Sequence, residues 1–149
     1  MPFLLRVYAS TRDEELALTG WDEGQKSAFL TMQFNAQHRH YHEYFPAAAF
    51  DIIVVGGEDA GRLYVHRSEG EIRLIDIALL PEHRNRGVGS ALLRPLLEEA
   101  RAGRQAVVLH VEQNNRAVRL YTRLGFKSVQ FDGMYGMFVW RYFVDPAVG

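Results

Sequence analysis

The hydrophobic pattern changes its period several times along the chain. Short runs rich in β-branched and aromatic residues, bounded by glycine or proline, are typical of strands. Such runs predict seven strands, at residues 3–9, 49–55, 61–66, 71–80, 105–111, 126–132 and 135–144. The glycines at 56–57 and Gly133 predict turns between neighbouring strands.

Helical spacing occupies most of the remaining segments. Residues 22–44 predict a long aromatic helix that Asp22 caps and that ends before Pro46. The acidic residues 13–15, preceded by Ser10 or Thr11, suit the first turn of another helix. Apolar side chains recur three and four positions apart over residues 88–100, and residues 116–124 predict a last short helix that Gly125 ends. Pro95 is expected to kink the helix that contains it or to delay its start.

The predicted order of elements is β-α-α-β-β-β-α-β-α-β-β. A strand–helix–strand unit at residues 71–111, placed among hairpins, predicts a mixed sheet with a right-handed crossover. The expected fold class is therefore α/β, with a mixed α+β sheet of about seven strands and flanking helices. Because no internal repeat and no linker rich in proline, glycine or serine divides the chain, residues 1–149 are expected to form a single domain.

Composition narrows the classes of function. The 149 residues include 17 basic and 18 acidic side chains, so a net charge of −1 gives no basic surface for nonspecific nucleic-acid binding. The absence of cysteine excludes disulfides, thiolate metal sites and a cysteine nucleophile. The sequence shows neither a signal peptide nor an apolar run long enough for a membrane helix, and the expectation is a cytoplasmic protein without a membrane partner.

The most informative segment joins a predicted strand to a predicted helix. It reads Arg84-Asn85-Arg86-Gly87-Val88-Gly89-Ser90. Glycine lets backbone approach a ligand, the first turn of a helix offers unpaired N–H groups, and arginine adds forked donors for phosphate oxygens. The segment lacks the lysine of a P-loop and the third glycine of a dinucleotide fingerprint. By itself it is either a phosphate cradle or a tight turn with solvated arginines.

Two motifs taken together resemble the GNAT superfamily of acyl-CoA-dependent N-acetyltransferases. The family's Arg/Gln-x-x-Gly-x-Gly loop is present as Arg84-x-x-Gly87-x-Gly89. Its Leu-Tyr-x-x-x-Gly-Phe signature is present as Leu120-Tyr121-x-x-x-Gly125-Phe126. The resemblance is carried by residues 71–126, whereas the first 48 residues match in predicted layout only. It implies a GNAT-like fold with a central βαβ unit that binds acyl-CoA.

The resemblance also implies which residues would hold acetyl-CoA, the expected cosubstrate. Backbone N–H groups would cradle the pyrophosphate, with Arg84 as a further phosphate contact; the cradle residues are Arg86, Gly87, Val88, Gly89 and Ser90. Main-chain groups of Ile77 and Leu79 would carry the pantetheine, whose amides can pair like an added strand. That arrangement needs the strands at 71–80 and 105–111 to diverge at one end, usually through a bulge. Either Asn114 or Asn115 would contact the cofactor, and each is also a candidate helix cap.

Amide formation from a thioester needs a neutral amine, a donor for the oxyanion and a proton for the departing thiolate. The resemblance implies that Tyr121 supplies the proton as general acid. The alternative is an aromatic helix residue that packs in the core. The expected oxyanion donor is a main-chain N–H of the strand at 71–80, that of Ile77.

The general base stays open. Several members of the family use a glutamate fourteen residues before the first glycine of the loop, where this chain has Arg73. Glu71 lies two residues earlier on the same strand face, and His110 takes the position of another relative's base. A chain of water molecules without one essential base is the third alternative. Asp76 lies on the opposite face and is expected to have a structural partner.

Two classes of function follow. The first is an enzyme that moves an acetyl group from acetyl-CoA to a primary amine, on a small molecule or a protein, by direct attack in a ternary complex. The alternative is a catalytically impaired CoA-binding sensor or interaction module, which Arg73 keeps open. No metal is expected, since His38, His40 and His42 alternate on a predicted helix without a carboxylate or cysteine pattern beside them. The hydrophobic last strand fits a homodimer interface and an internal strand equally well.

Overall fold

A computed structural model describes residues 2–112, 115–133 and 135–142. The helices are α1 (Phe3–Ala17), α2 (Glu23–Tyr44), α3 (Val88–Ala102) and α4 (Val118–Arg123), with one 3₁₀ turn at Pro81–His83. The strands are β1 (Ala49–Val55), β2 (Glu58–Arg67), β3 (Glu71–Leu79), β4 (Ala106–Glu112), β5 (Lys127–Asp132) and β6 (Tyr135–Trp140). The strands form a mixed sheet in the order β1-β2-β3-β4-β6-β5. The mixed α/β class is confirmed, with six strands instead of about seven.

The missing strand is the first one. Residues 3–9 belong to α1, so the predicted strand is wrong and α1 begins the chain. The hydroxyls of Ser10 and Thr11, expected to precede a helix, lie inside it and donate to the carbonyls of Val7 and Tyr8 at 2.7 and 2.6 Å. Packing of α1 against α2, and not the local pattern of residues 3–9, therefore determines that this segment is helical.

The other element boundaries follow local signals. Asp22 caps α2 through a reciprocal pair of bonds: its Oδ1 accepts from the N–H of Gln25 at 2.8 Å, and Gln25 Oε1 accepts from the N–H of Asp22 at 3.0 Å. Helix α3 begins at Val88 and continues through Pro95, so the later start is wrong. The kink at Pro95 stays a prediction.

The chain divides into two compact units, and each is described separately. The first comprises Met1–Tyr64 with Asp76–Arg84, and the second comprises Val65–Ile75 with Asn85–Gly149. In the first unit, Tyr8, Leu16 and Leu30 form a buried cluster between α1 and α2. Whether residues 1–149 behave as a single domain stays a prediction.

In the second unit, β4 lies between two partners. It pairs in parallel with β3, where Glu71–Arg73 face Ala106–Val108, and antiparallel with β6, which also pairs with β5. The parallel pairing predicted for the strand–helix–strand unit is thus confirmed. Within the described ranges, no helix combines the length and the apolar character needed to cross a membrane.

Candidate functional site

The glycine loop presents a row of unpaired backbone donors. Gly87 precedes α3 with a φ of +79°, in the left-handed region that favours glycine. No acceptor in the described part of the chain receives the N–H groups of Arg86 to Ser90; the first N–H to find one is that of Ala91, which donates to the Gly87 carbonyl at 3.0 Å. The first turn of α3 holds no acidic side chain. Five N–H groups and the positive end of α3 are therefore available to an anion.

The two sequence motifs meet at this loop. A Cβ built on Gly89 would lie 2.7 Å from Cδ2 of Leu120, so the absence of a side chain lets the first turn of α3 approach α4. Arg123, an exposed residue of α4, places Nη2 3.5 Å from Ser90 Oγ. Arg123 is a cation beside the loop that the sequence analysis missed, although it lies inside the second motif.

Tyr121 is a buried residue of α4. Its side chain is only 4% exposed, and its ring lies 5.6 Å from that of Phe126 and 6.5 Å from that of Phe138, measured between centroids. The ring is therefore part of an aromatic core. Its role as general acid stays a prediction.

Asn115 begins the segment that leads into α4. Its Oδ1 accepts from the N–H of Ala117 at 2.8 Å, and its carbonyl accepts from the N–H of Val118 at 3.1 Å. The residue at the N-cap of α4 is Ala117 and no side chain caps the helix, so the interpretation of Asn115 as a helix cap is wrong; its bonds close the turn ahead of α4. Asn114 lies outside the described residues, and a cofactor contact by either asparagine stays a prediction.

Both candidate bases contact one arginine. Arg73 Nη2 lies 3.1 Å from Glu71 Oε2, and Arg73 Nη1 lies 2.9 Å from His110 Nδ1. Burial and the charge of Arg73 lower the pKa of His110, and Glu71 acts in the opposite direction. From the sequence, Arg73 was notable only as an arginine at the position of the family's glutamate. The signal that could have found the contact is the parallel register, because Arg73 faces Val108 and His110 follows on the same face.

In the first unit, two predicted cofactor ligands contact each other. Arg84 Nε donates to the carbonyl of Leu79 at 2.9 Å, and Arg84 Nη2 donates to Ser10 Oγ at 3.2 Å. The guanidinium thus ties the end of β3 to α1. The phosphate contact of Arg84 and the pantetheine contacts of Ile77 and Leu79 stay predictions.

Strand β3 carries an irregularity relative to β2 between Glu71 and Leu80. The hairpin pairs Ser68 with Glu71, whereas the N–H of Leu80 donates to the carbonyl of Ala60 at 2.8 Å. Counted from the first bond to the second, β3 contains one residue more than β2. One extra residue on one of two paired strands defines a β-bulge, and the sequence of residues 71–80 alone could not reveal it.

Asp76 pairs with a buried arginine in the same unit. Arg62 is 3% exposed, and its Nε lies 2.6 Å from Asp76 Oδ2 while its Nη2 donates to Gln37 Oε1 at 2.9 Å. Burial, the largest single effect, lowers the pKa of Arg62, but the charge and hydrogen bond of Asp76 together with Tyr64 and Tyr41 outweigh it, so the pKa is raised. Burial, followed by Asp76, raises the pKa of Tyr41. Asp76 thus has the structural partner expected of an acid in an apolar strand.

Two histidines of α2 pack against each other at a tilt, and one of them, His42, stacks on Phe50. The ring centroids of His38 and His42 lie 4.3 Å apart, and those of His42 and Phe50 lie 4.0 Å apart. Among the described residues, no group of three or more histidine, cysteine, aspartate or glutamate side chains could hold a metal ion. Burial, followed by the charge of His42, lowers the pKa of His38.

An open cavity of about 630 Å³ lies in the first unit. It is lined by α1, the start of β2 and the 3₁₀ turn, through residues that include Asp13, Glu58 and His83. None of the predicted site residues lines it, so the cavity supports none of the assignments above.

Comparison with known proteins places this geometry in a family. The model of the GNAT acetyltransferase family matches residues 7–126. No curated protein matches the chain. The PaiA N-acetyltransferase of Thermoplasma acidophilum, solved with coenzyme A, is 16% identical over 93% of this chain and 91% of its own, with a TM-score of 0.69.

Two further solved structures share the fold. An acetyltransferase of Thermus thermophilus is 19% identical over 94% of this chain and 89% of its own, with a TM-score of 0.66. A GNAT family acetyltransferase of Elizabethkingia anophelis, solved with acetyl-CoA bound, is 14% identical over 69% of this chain and 82% of its own, with a TM-score of 0.57. The match of the family model over residues 7–126 establishes that this chain belongs to the GNAT acetyltransferase family.

Proposed function

We propose that this chain is an acyl-CoA-dependent N-acetyltransferase that moves an acetyl group from acetyl-CoA to a primary amine. The observation that carries the proposal is the row of unpaired N–H groups from Arg86 to Ser90 at the start of α3. A pyrophosphate is an anion whose oxygens suit several such donors at once. Two proteins of the same fold were crystallised with coenzyme A or acetyl-CoA.

Direct attack of the amine in a ternary complex is the proposed route, because no cysteine is present to carry an acyl intermediate. The amine must lose its proton before attack, since an alkylammonium has a pKa of about 10. The N–H of Ile77 is the proposed oxyanion donor, and Tyr121 is the proposed acid for the thiolate. The amine belongs to a small molecule or to a protein, and a cytoplasmic location is part of the same proposal.

A second candidate function rests on Arg73. Its guanidinium contacts both candidate bases, Glu71 and His110, which leaves neither carboxylate nor imidazole unengaged. A domain that binds CoA without turnover, as a sensor or interaction module, is consistent with that arrangement.

The test is release of free thiol from acetyl-CoA by the full chain, with a panel of an alkylamine, an amino acid, a peptide amino terminus and a lysine peptide. We expect release that depends on one class of amine. Tyr121→Phe should lower kcat by about 10²-fold if the hydroxyl supplies the proton. Tyr44→Phe is the matched control, because Tyr44 is 65% exposed on α2.

Turnover of Tyr121→Phe at the wild-type level would remove the acid assignment. Calorimetric binding of CoA without turnover for any amine in the panel would favour the binding module. Absence of CoA binding by the folded chain would overturn both functions.

A further inference from the structure

We infer that Arg73 is a positioning residue that holds His110 as the neutral Nε2–H tautomer, so that His110 serves as a hydrogen-bond donor toward the substrate and not as the general base. The role toward substrate rests on the proposed function. The tautomer itself does not, because it follows from contacts within the second unit.

The hydrogen-bonding capacities of the two groups determine which one donates. A guanidinium has N–H donors and no acceptor, so the contact between Arg73 Nη1 and His110 Nδ1, at 2.9 Å, requires Nδ1 to accept. An imidazole that accepts at Nδ1 is neutral and carries its proton on Nε2.

The charged groups around His110, taken together, also favour the neutral ring. Arg73 and Glu71 face it from β3, Glu112 follows two residues later on the same face of β4, and its partner across the antiparallel ladder is the uncharged Met137 on β6. Glu71 would favour an imidazolium, but its Oε2 is engaged by Arg73 Nη2 at 3.1 Å. The nearest charge to the ring is therefore a cation, which opposes protonation.

The neutral tautomer limits what His110 can do in catalysis. A general base must offer a lone pair within reach of the proton that it removes. The one lone pair of the neutral ring is at Nδ1 and already accepts from Arg73, whereas the Nε2–H of this exposed residue is a donor. His110 in this state can stabilise developing negative charge and cannot take the proton of the amine.

Two substitutions of His110 separate a donor from a base. In His110→Gln the side-chain amide reaches about as far as Nε2 and donates a hydrogen bond, but it is no base. In His110→Glu the carboxylate is a base that cannot donate. We expect kcat of His110→Gln to stay within about 10-fold of wild type and that of His110→Glu to fall by about 10²-fold or more. The reverse order would overturn the donor assignment.

Nuclear magnetic resonance tests the tautomer without relying on activity. The full chain, labelled with ¹⁵N histidine, is compared with His110→Gln to assign the two ring nitrogens of His110. Above the pKa of the ring, we expect the proton on Nε2. In Arg73→Met the pKa of His110 should rise, because the nearby positive charge is gone, while the acidic limb of kcat/KM should not follow it, since a protonated ring still donates from Nε2.

Arg67→Met is the matched control, because Arg67 pairs with Glu99 within the same unit and its loss also removes one positive charge. This variant should leave the pKa of His110 unchanged. A proton on Nδ1 in the wild type, or an unchanged pKa in Arg73→Met, would overturn the inference whatever the activity. The Nε2 tautomer in a chain that turns over no amine would overturn the proposed function and leave the assignment of Arg73 standing.

Discussion

Replacing Gly61 by alanine places a methyl group where the backbone of β3 already lies. An ideal Cβ on Gly61 would be 2.1 Å from the carbonyl oxygen of Ala78 and 3.0 Å from Cα of Leu79. Both obstacles are backbone atoms, so no side-chain rotation relieves them, and β2 and β3 must separate at this point.

The expected cost follows from overpacking. Extra methylenes in a packed interior typically cost about 1–3 kcal/mol, and a backbone obstacle places Gly61→Ala at the upper end, about 3 kcal/mol. For a chain of this size each kcal/mol lowers Tm by roughly 2–4 °C, so we expect Tm to fall by about 6–12 °C. Ile77 and Leu79, the proposed pantetheine contacts, flank Ala78, so the affinity for CoA should fall as well.

Urea denaturation followed by circular dichroism measures the effect, with Gly70→Ala as the matched control. A Cβ on Gly70 meets nothing within 4 Å, and the backbone there is not left-handed, so its cost should stay within about 0.5 kcal/mol. Both variants reduce the entropy of the unfolded chain alike, and their difference isolates the contact with Ala78. Equal stability of the two variants would refute the close approach of β2 and β3.

Three further outcomes are expected. Gly89→Asp puts a carboxylate beside the unpaired N–H groups of the loop and crowds Leu120, so calorimetry should detect no CoA binding, whereas the uncharged Gly89→Asn should retain part of it; equal binding of the two would contradict the role of charge. Asp22→Ala removes the carboxylate that accepts from the N–H of Gln25 at the α2 cap and should lower the free energy of unfolding in urea by about 1 kcal/mol; a wild-type midpoint would argue against the cap. The hydrogen bond from Arg67 lowers the pKa of Glu99 below its ordinary 4.5, so this carboxylate stabilises the fold above that pH and the gain is lost as pH falls through the lowered pKa. As pH falls below 4.5 the wild type should therefore lose slightly more stability than Glu99→Gln, the effect being small because the pair is exposed; parallel profiles would exclude it.

The structure departs from the sequence-based fold at α1, and the reason is the length of the window. Residues 3–9 alone contain enough branched and aromatic side chains to resemble a strand. Extended to residue 17, the same segment places Leu5, Tyr8, Ala9 and Leu16 at helical spacing, and these side chains pack at the cluster that includes Leu30. Seven residues cannot distinguish the two periods when the deciding contacts come from α2.

The glycine loop could be predicted because its chemistry is local. The φ of Gly87 and the unpaired N–H groups depend on a few consecutive residues that turn into a helix. The side-chain partners could not be predicted in this way. An acid inside an apolar strand implies a partner for Asp76, but that the partner is Arg62 depends on which strand lies beside β3.

The partners of the arginine side chains were the hardest contacts to predict from the sequence. The motif suggested a phosphate ligand at Arg84, and a missing glutamate was noted at Arg73. In the structure each guanidinium binds protein groups: Arg84 donates to the Leu79 carbonyl and to Ser10, and Arg73 contacts Glu71 and His110. A planar group with five donors can bind several acceptors at once, so its charge alone does not identify its partner. The motif therefore predicts the position of the backbone cradle, while the part each arginine takes in binding or catalysis depends on how many of its donors the fold has already engaged.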